Sequence, residues 1–202
     1  MRGFSKRKYR EMNSYDLICT AQNDDYDALE ELIKREQKNV YTSFCYLGAS
    51  QENVSDLTQE VLFRMSRNIK TLKNPKLFKS WLAQIISNLF YDELRKKQRT
   101  PDTYSIDSFW QNNEENDNSE FHICDNKLNP HDKTLGKELT DLIRETICAL
   151  PVNFRLVIIL REIQGLSYEE IARITQTNVG TVKSRIARAR TKMQECLKPY
   201  LT

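Results

Sequence analysis

The chain has 202 residues, 39% apolar and 29% charged, which allows one ordinary domain or two small ones with packed cores. Five glycines and five prolines are too few for the turns of a β-sandwich or barrel, and apolar runs such as Leu156-Val157-Ile158-Ile159-Leu160 are far too short to span a bilayer. The formal charge of +3 is unevenly spread: Pro101 to Lys133 holds eight acids and two bases, net −6, leaving +9 on the rest. Two basic lobes joined by an acidic strap point to a polyanionic partner for the lobes.

The N-terminal residues 1–13 form a basic tail. Met1-Arg2-Gly3-Phe4-Ser5-Lys6-Arg7-Lys8 is followed by no apolar segment, so no secretory signal is expected. From residue 14 to about 99 the pattern is one of consecutive helices. Ser14 is a candidate cap for the first and Asp25 for the second, ahead of Ala28-Leu29-Glu30-Glu31-Leu32-Ile33. Ser55 or Asp56 is a candidate cap for a third, with Leu57, Val61, Leu62 and Met65 at helical spacing. A fourth spans Phe78 to Arg99, with an apolar stripe of Phe78, Leu82, Ile85, Ile86 and Leu89. On its other side Gln84, Asn88, Tyr91 and Arg95 follow in steps of four, three and four. Amides to pair with base edges, a ring to stack and a guanidinium for phosphate suit a displaced single strand. Trp81 is expected to pack rather than to touch DNA.

The segment 101–134 reads as a linker with little fixed structure of its own, rich in Asn, Asp and Glu at 112–119. Its Phe109-Trp110 and Phe121 are unusual for a spacer and are expected to dock on something. His122 and His131 are read as exposed linker histidines rather than metal ligands. Helices resume at Leu135, where Leu139, Leu142, Ile143, Ile147 and Leu150 fit one face. Pro151 suits the first turn of a helix at 151–163, which Gly165 ends. Ser167-Tyr168-Glu169-Glu170 has the capping-box pattern.

The strongest local signal is at 167–197. A short helix to about Thr175 is followed by a tight break at Gln176-Thr177-Asn178 and then a longer helix, whose Val179, Val182, Ile186, Ala189 and Met193 make one buried stripe. The opposite face carries Thr177, Gly180, Thr181, Ser184, Ala187 and Arg188, with Lys183 and Arg185 on its shoulders. Small residues let such a helix sink into a major groove, and flanking bases reach phosphates or guanine edges. At 100° per residue Arg188 lies about 40° from the centre of this face and Arg185 about 100°. The other reading of this segment is an ordinary amphipathic helix with a solvated basic face.

Cys19, Cys45, Cys124, Cys148 and Cys196 are odd in number, and no two stand at metal or redox spacing, as expected of reduced thiols in the cytosol. Asp56, Gln59 and Glu60 share a helical turn, but nothing around them resembles the apolar cleft that a catalytic carboxylate pair needs. No phosphate-binding glycine loop, nucleophile triad or zinc spacing is present, so no catalysis and no cofactor are expected.

Several of these segments together resemble a known family. Leu150-Pro151, Leu160-Arg161-Glu162, Gly165-Leu166-Ser167-Tyr168-Glu169-Glu170-Ile171-Ala172 and Gly180-Thr181-Val182-Lys183-Ser184-Arg185 are similar to the sigma-4 domain of extracytoplasmic-function (group IV) sigma factors of the sigma-70 family. Asp56-Leu57-Thr58-Gln59-Glu60-Val61 resembles the polymerase-clamp motif of the sigma-2 domain. Phe78, Trp81-Leu82, Asn88, Asp92 and Leu94-Arg95-Lys96 resemble its promoter-melting helix. Asn178 stands where the family commonly has proline, and Thr175 and Gln176 replace its usual turn residues, so a looser turn is expected.

The resemblance implies an all-α fold of two small helical domains on a flexible acidic linker: a sigma-2-like domain at 14–100 and a sigma-4-like helix-turn-helix domain at 135–202. It implies a bacterial, cytoplasmic protein that binds core RNA polymerase through its β′ clamp and β flap and directs promoter recognition and opening, without membrane insertion. Asp56, Gln59 and Glu60 would face the clamp. Gln84, Asn88, Tyr91 and Arg95 would read single-stranded DNA at the −10 element, with Asn88 lining a pocket for a flipped base and the loop at 71–77 gripping another. Thr181, Lys183, Ser184, Arg185 and Arg188 would read duplex DNA at −35. The linker would thread into the polymerase active-site cleft and RNA exit channel, and an anti-sigma factor would be a further partner. The rivals are a one-component helix-turn-helix regulator with a ligand-sensing half, and a DNA-modifying enzyme with a helix-turn-helix tail. The aromatic and amide stripe at 78–99 argues against the first, and the lack of a catalytic constellation against the second.

Overall fold

The computed structural model describes residues 8–99 and 135–200. The expectations for residues 1–7 of the tail, for the linker with its aromatic residues and histidines, and for Cys124 lie outside the described residues. The elements are α1 (Ser14–Gln22), α2 (Tyr26–Leu47), α3 (Gln51–Asn68), α4 (Phe78–Arg99), α5 (Leu135–Ala149), α6 (Val152–Glu162), α7 (Tyr168–Thr175) and α8 (Val179–Leu197). Short 3-10 turns lie at Ile69–Thr71, Pro75–Leu77 and Lys198–Tyr200. Among the described residues there is no strand and no helix long and apolar enough to cross a membrane.

Helix starts follow local hydrogen-bond chemistry, with three shifts from the expected positions. The cap of α1 is Asn13, whose side chain accepts the Asp16 amide, so Ser14 is already helical. Helix α3 begins at Gln51, a turn before Ser55 and Asp56. Pro151 stands just outside α6 as its cap. Asp25 caps α2 as expected, accepting the Ala28 amide at 2.9 Å. It also accepts the Tyr9 hydroxyl at 2.7 Å, which holds its carboxyl below the usual carboxylate range together with the Ala28 amide.

The first half packs α1 to α4 around Leu17, Leu32, Phe44, Leu47, Met65 and Leu82, all essentially sealed from solvent. Burying each such side chain contributes about 1.5–3 kcal/mol. Gln22 ties the end of α1 to the 3-10 turn that follows α3, donating to the carbonyls of Ile69 (2.9 Å) and Leu72 (2.7 Å). The second half packs α5 to α8 around Leu156, Ile158, Ile159, Leu160, Leu166, Ile171, Val182 and Ile186.

Two stripe assignments need correction. In α4, Ile85 is only partly buried, while Ala83 and Phe90 complete the core face. In α5, Leu139 is 47% exposed and lies outside the buried face.

The two halves pack against each other. Helix α2 lies along α5 and α6, and α4 rests on α7.

Candidate nucleic-acid interface

The helix-turn-helix is built by its caps. Ser167 accepts the Glu170 amide at 3.2 Å, and Glu170 accepts the Ser167 amide at 2.8 Å, so two free donors at the start of α7 are satisfied reciprocally. Gln176 ends α7 in the left-handed region (φ 53°). There the Thr177 amide donates to the Ala172 carbonyl at 3.0 Å. The Asn178 side chain then accepts the Thr181 amide at 2.7 Å and starts α8. The turn is therefore closely bonded rather than loose: asparagine satisfies a donor where a proline could only preset the backbone. Gly180 sits over this cap, where an added Cβ would come within 3.2 Å of Asn178 Oδ1. Asn178→Ala is expected to cost about 1 kcal/mol. Thermal unfolding should show a Tm lower by about 2–4 °C, and an unchanged Tm would mean the cap does not hold the turn.

Helix α8 buries Val182, Ile186 and Ala189 and only partly buries Val179 and Met193. Lys183, Ser184, Ala187 and Arg188 are exposed, and Thr181 is half-buried. Arg185 is placed differently from its shoulder neighbour. It is half-buried and faces Tyr91 of α4; burial lowers its pKa, with Tyr91 opposing. Burial in turn raises the Tyr91 hydroxyl, opposed by Arg185 and Arg95. At the far edge of the helix-turn-helix, Arg161 stacks 4.8 Å from the Tyr168 ring and donates to the Leu166 carbonyl at 2.6 Å.

On α4 the four stripe residues share a side as expected. Asn88 and Arg95 are exposed, and Gln84 and Tyr91 are half-buried. Gln84 donates to Asn88 Oδ1 at 2.8 Å, which occupies the Asn88 carbonyl and leaves its NH2 as the outward donor. Arg95 leans on Asp92 at 3.3 Å. Trp81 packs beside Phe78, with ring centroids 6.0 Å apart. Upstream, the 71–77 loop is shaped by Asn74, which accepts the Lys76 amide at 3.0 Å.

On α3, Asp56 and Gln59 are exposed, and Glu60 pairs with Arg64 at 2.6 Å. Sequence reasoning missed the next residue of this face. Phe63, four positions after Gln59 and seven after Asp56, is 58% exposed. The signal was available: Leu57, Val61, Leu62 and Met65 fill the buried stripe and leave Phe63 outside it. A large exposed aromatic inside a polar surface is the usual form of a binding anchor.

Between α5, α6 and α8 runs an apolar groove of about 420 Å³, lined by Ile143, Ile147, Ile159, Ile163 and Met193 and joined by Tyr46 of α2. Its rim carries the Arg190–Glu162 ion pair at 2.6 Å. Among the described residues no group of histidine, cysteine, aspartate and glutamate could hold a metal, and the described cysteines are free thiols.

Two helical lobes, one carrying a helix-turn-helix and the other presenting an amide and aromatic stripe, define a promoter-recognition subunit. The chain belongs to the sigma-70 family, among the extracytoplasmic-function (ECF) RNA polymerase sigma factors, and acts with core RNA polymerase in promoter recognition and opening. Residues 32–100 match Sigma-70 region 2, and residues 140–193 match Sigma-70, region 4. The chain is 32% identical over 185 residues to the ECF RNA polymerase sigma-E factor of Escherichia coli (strain K12), covering 92% of this chain and 94% of that protein. It is 32% identical to the ECF sigma factor SigE of Mycolicibacterium smegmatis, over 83% of this chain and 61% of that protein. The sigma factor RpoE in complex with the anti-sigma factor NepR, from Bartonella quintana, is similar in structure with a TM-score of 0.60 at 25% identity, covering 84% of this chain and 96% of that one. CnrH, solved with the cytosolic domain of CnrY, shares the fold at a TM-score of 0.61 and 20% identity, over 92% and 97% of the two chains.

Proposed function

We propose that this is a group IV sigma factor that divides its work among three surfaces. It acts in the cell interior, performs no catalysis itself and needs no cofactor. Residues 14–100 hold the clamp and melting surfaces, 135–202 hold the −35 reader, and 101–134 connect them. Asp56, Gln59 and Glu60, with Phe63 as apolar anchor, form the clamp surface. Gln84, Asn88, Tyr91 and Arg95 receive the displaced strand at −10. Thr181, Lys183, Ser184, Arg185 and Arg188 contact the −35 duplex. The β flap uses the apolar groove beside α8, which is also suited to an amphipathic helix of an anti-sigma factor. The observation that carries the reading is the pairing of two DNA-suited faces, on α4 and α8, in one chain with a polar surface ringing Phe63.

The −35 assignment is tested by separating base reading from phosphate binding. Arg188, exposed on the outward face, is expected to act as a groove contact, so Arg188→Ala should cost roughly 1–3 kcal/mol at one base position and relax preference there. Arg185, at the shoulder, is expected to meet phosphate, so Arg185→Ala should weaken binding across sequences and shallow the salt dependence by about one unit of slope. Holoenzyme binding to promoters mutated singly across −35, at several salt concentrations, measures both. The reverse pattern overturns the rotation argument. No effect from either variant would remove α8 as the −35 reader.

A further inference from the structure

The connection between α3 and α4 is held by the end of α1, far away in sequence. It consists of two 3-10 turns, Ile69–Thr71 and Pro75–Leu77, and the residues between them. Ile69 and Leu72 are buried, while Thr71, Lys73, Asn74, Lys76 and Leu77 are exposed. Few apolar contacts of its own make such a segment easy to open locally, so its hydrogen bonds decide its shape. Gln22 supplies two of them. Its NH2 has two N–H donors, and it donates to the Ile69 and Leu72 carbonyls, 47 and 50 positions further along the chain. Two residues on, Asp24 stands at φ 64°, an uncommon backbone state outside glycine. From there its carboxylate pairs with Lys70. The far end is tied locally, by the Asn74 cap of the second turn and by the Ser80 hydroxyl, which donates to the Leu77 carbonyl at 3.0 Å. Leu17, Ile18 and Ala21 already dock α1 in the core. The polar contacts of Gln22 and Asp24 therefore add control of the loop to a helix that is fixed without them.

This loop leads straight into the stripe suited to the displaced strand. Helix α4 starts at Phe78, so Gln84 and Asn88 lie about 9 and 15 Å along its axis from the loop, at 1.5 Å per residue. A strand seated on Asn88 and continuing past Gln84 runs onto residues 71–77. Residues 70–79 hold four lysines and no acid. Asp24 engages Lys70, and Lys73, Lys76 and Lys79 are exposed to meet phosphates. Extruding a base is costly, and a pocket offsets that cost best when its walls are already ordered. Gln22 orders this wall before the strand arrives.

We propose that Gln22, assisted by Asp24, is a positioning residue for −10 recognition. By fixing the Ile69 and Leu72 carbonyls it presets the 71–77 loop to select the base next to the one that Asn88 receives. The inference rests on the −10 reading given above. It gives α1 a share in sequence choice, exerted through the loop and without contact to DNA.

The test uses holoenzyme on promoters that carry a pre-melted bubble and differ singly through the −10 element. Asn88→Ala marks the position that the α4 stripe reads, by relaxing preference there. Gln22→Met keeps the length of the side chain and removes both donors. Losing two hydrogen bonds to the loop should reduce base discrimination about five- to tenfold at an adjacent position. Preference at the Asn88 position and affinity for core polymerase should stay as in the wild type. Amide hydrogen exchange over residues 69–77 of the free chain should quicken in the same variant. Asp24→Gly suits the positive φ and removes only an exposed ion pair. It should flatten the same position about twofold, since an exposed pair is the weaker tie, and it decides the matter if Gln22→Met does not fold. Equal weakening at every −10 base overturns the proposal, as does a wild-type base profile in whichever variant folds, even if exchange quickens. Failure of the underlying −10 reading is told apart by Asn88→Ala, which would then leave every position at its wild-type preference, and it takes the proposal with it.

Discussion

Replacing Gln59, Glu60 and Phe63 with alanine is expected to raise the dissociation constant for core polymerase more than a hundredfold while the first half remains folded. The side chains sit on the outer face of α3, with Phe63 58% exposed and Glu60 held only by a solvent-exposed pair with Arg64. Exposed substitutions of this kind usually change stability by within about 0.5 kcal/mol, and an exposed ion pair contributes at most about 1 kcal/mol. Binding is a different matter. An aromatic anchor that becomes desolvated in a complex contributes about 2 kcal/mol or more, so Phe63→Ala alone should weaken binding about thirtyfold. Titration of labelled protein with core enzyme, beside a circular-dichroism melt of each variant, measures both quantities. Unchanged affinity with a native melt would remove α3 from the clamp interface.

The second large effect concerns opening. Asn88→Ala should leave closed-complex formation nearly intact and lower open complexes about ten- to thirtyfold on duplex promoters. Extruding a base costs a few kcal/mol, so contacts made only to the extruded base set how far the equilibrium moves. Gln84 fixes the Asn88 amide by bonding its carbonyl oxygen, and Gln84→Ala should give a weaker version of the same defect. Permanganate reactivity on a duplex and on a pre-melted bubble separates the steps. The defect should be confined to the duplex. Equal loss on both templates would mean base contact without a specific role in opening, and no loss on either would end the assignment.

Much of this was legible from residue order alone, because periodicity and capping are local. The helix-turn-helix followed from Ser167 and Glu170 at capping-box spacing and from the Val182, Ile186 and Ala189 stripe, and the structure shows both. The amide face of α4 followed from steps of three and four. Errors fell where two local signals compete. Ser55 and Asp56 are good cap residues, but α3 continues through them to Gln51, because Val54 is needed in the core. Leu139 matched the α5 stripe, but nothing in the sequence says that the packed surface ends before it.

What the sequence by itself determined is the set of helices, their buried stripes and the two faces suited to DNA, since each depends on neighbours within a turn or two. The tertiary structure alone decided three matters that depend on residues far apart in the chain. That Phe63 stays uncovered was decided by how α2 and α4 pack on α3, since a residue outside the buried stripe can still be covered by a neighbouring element. Arg185 and Arg188, three positions apart on one helix, were separated in environment because only one of them meets α4. The hydrogen bond between Gln164 and Asn39 joins residues 125 positions apart, and no periodic pattern carries that information, because it arises from the shapes and unpaired polar groups that two finished lobes present to each other.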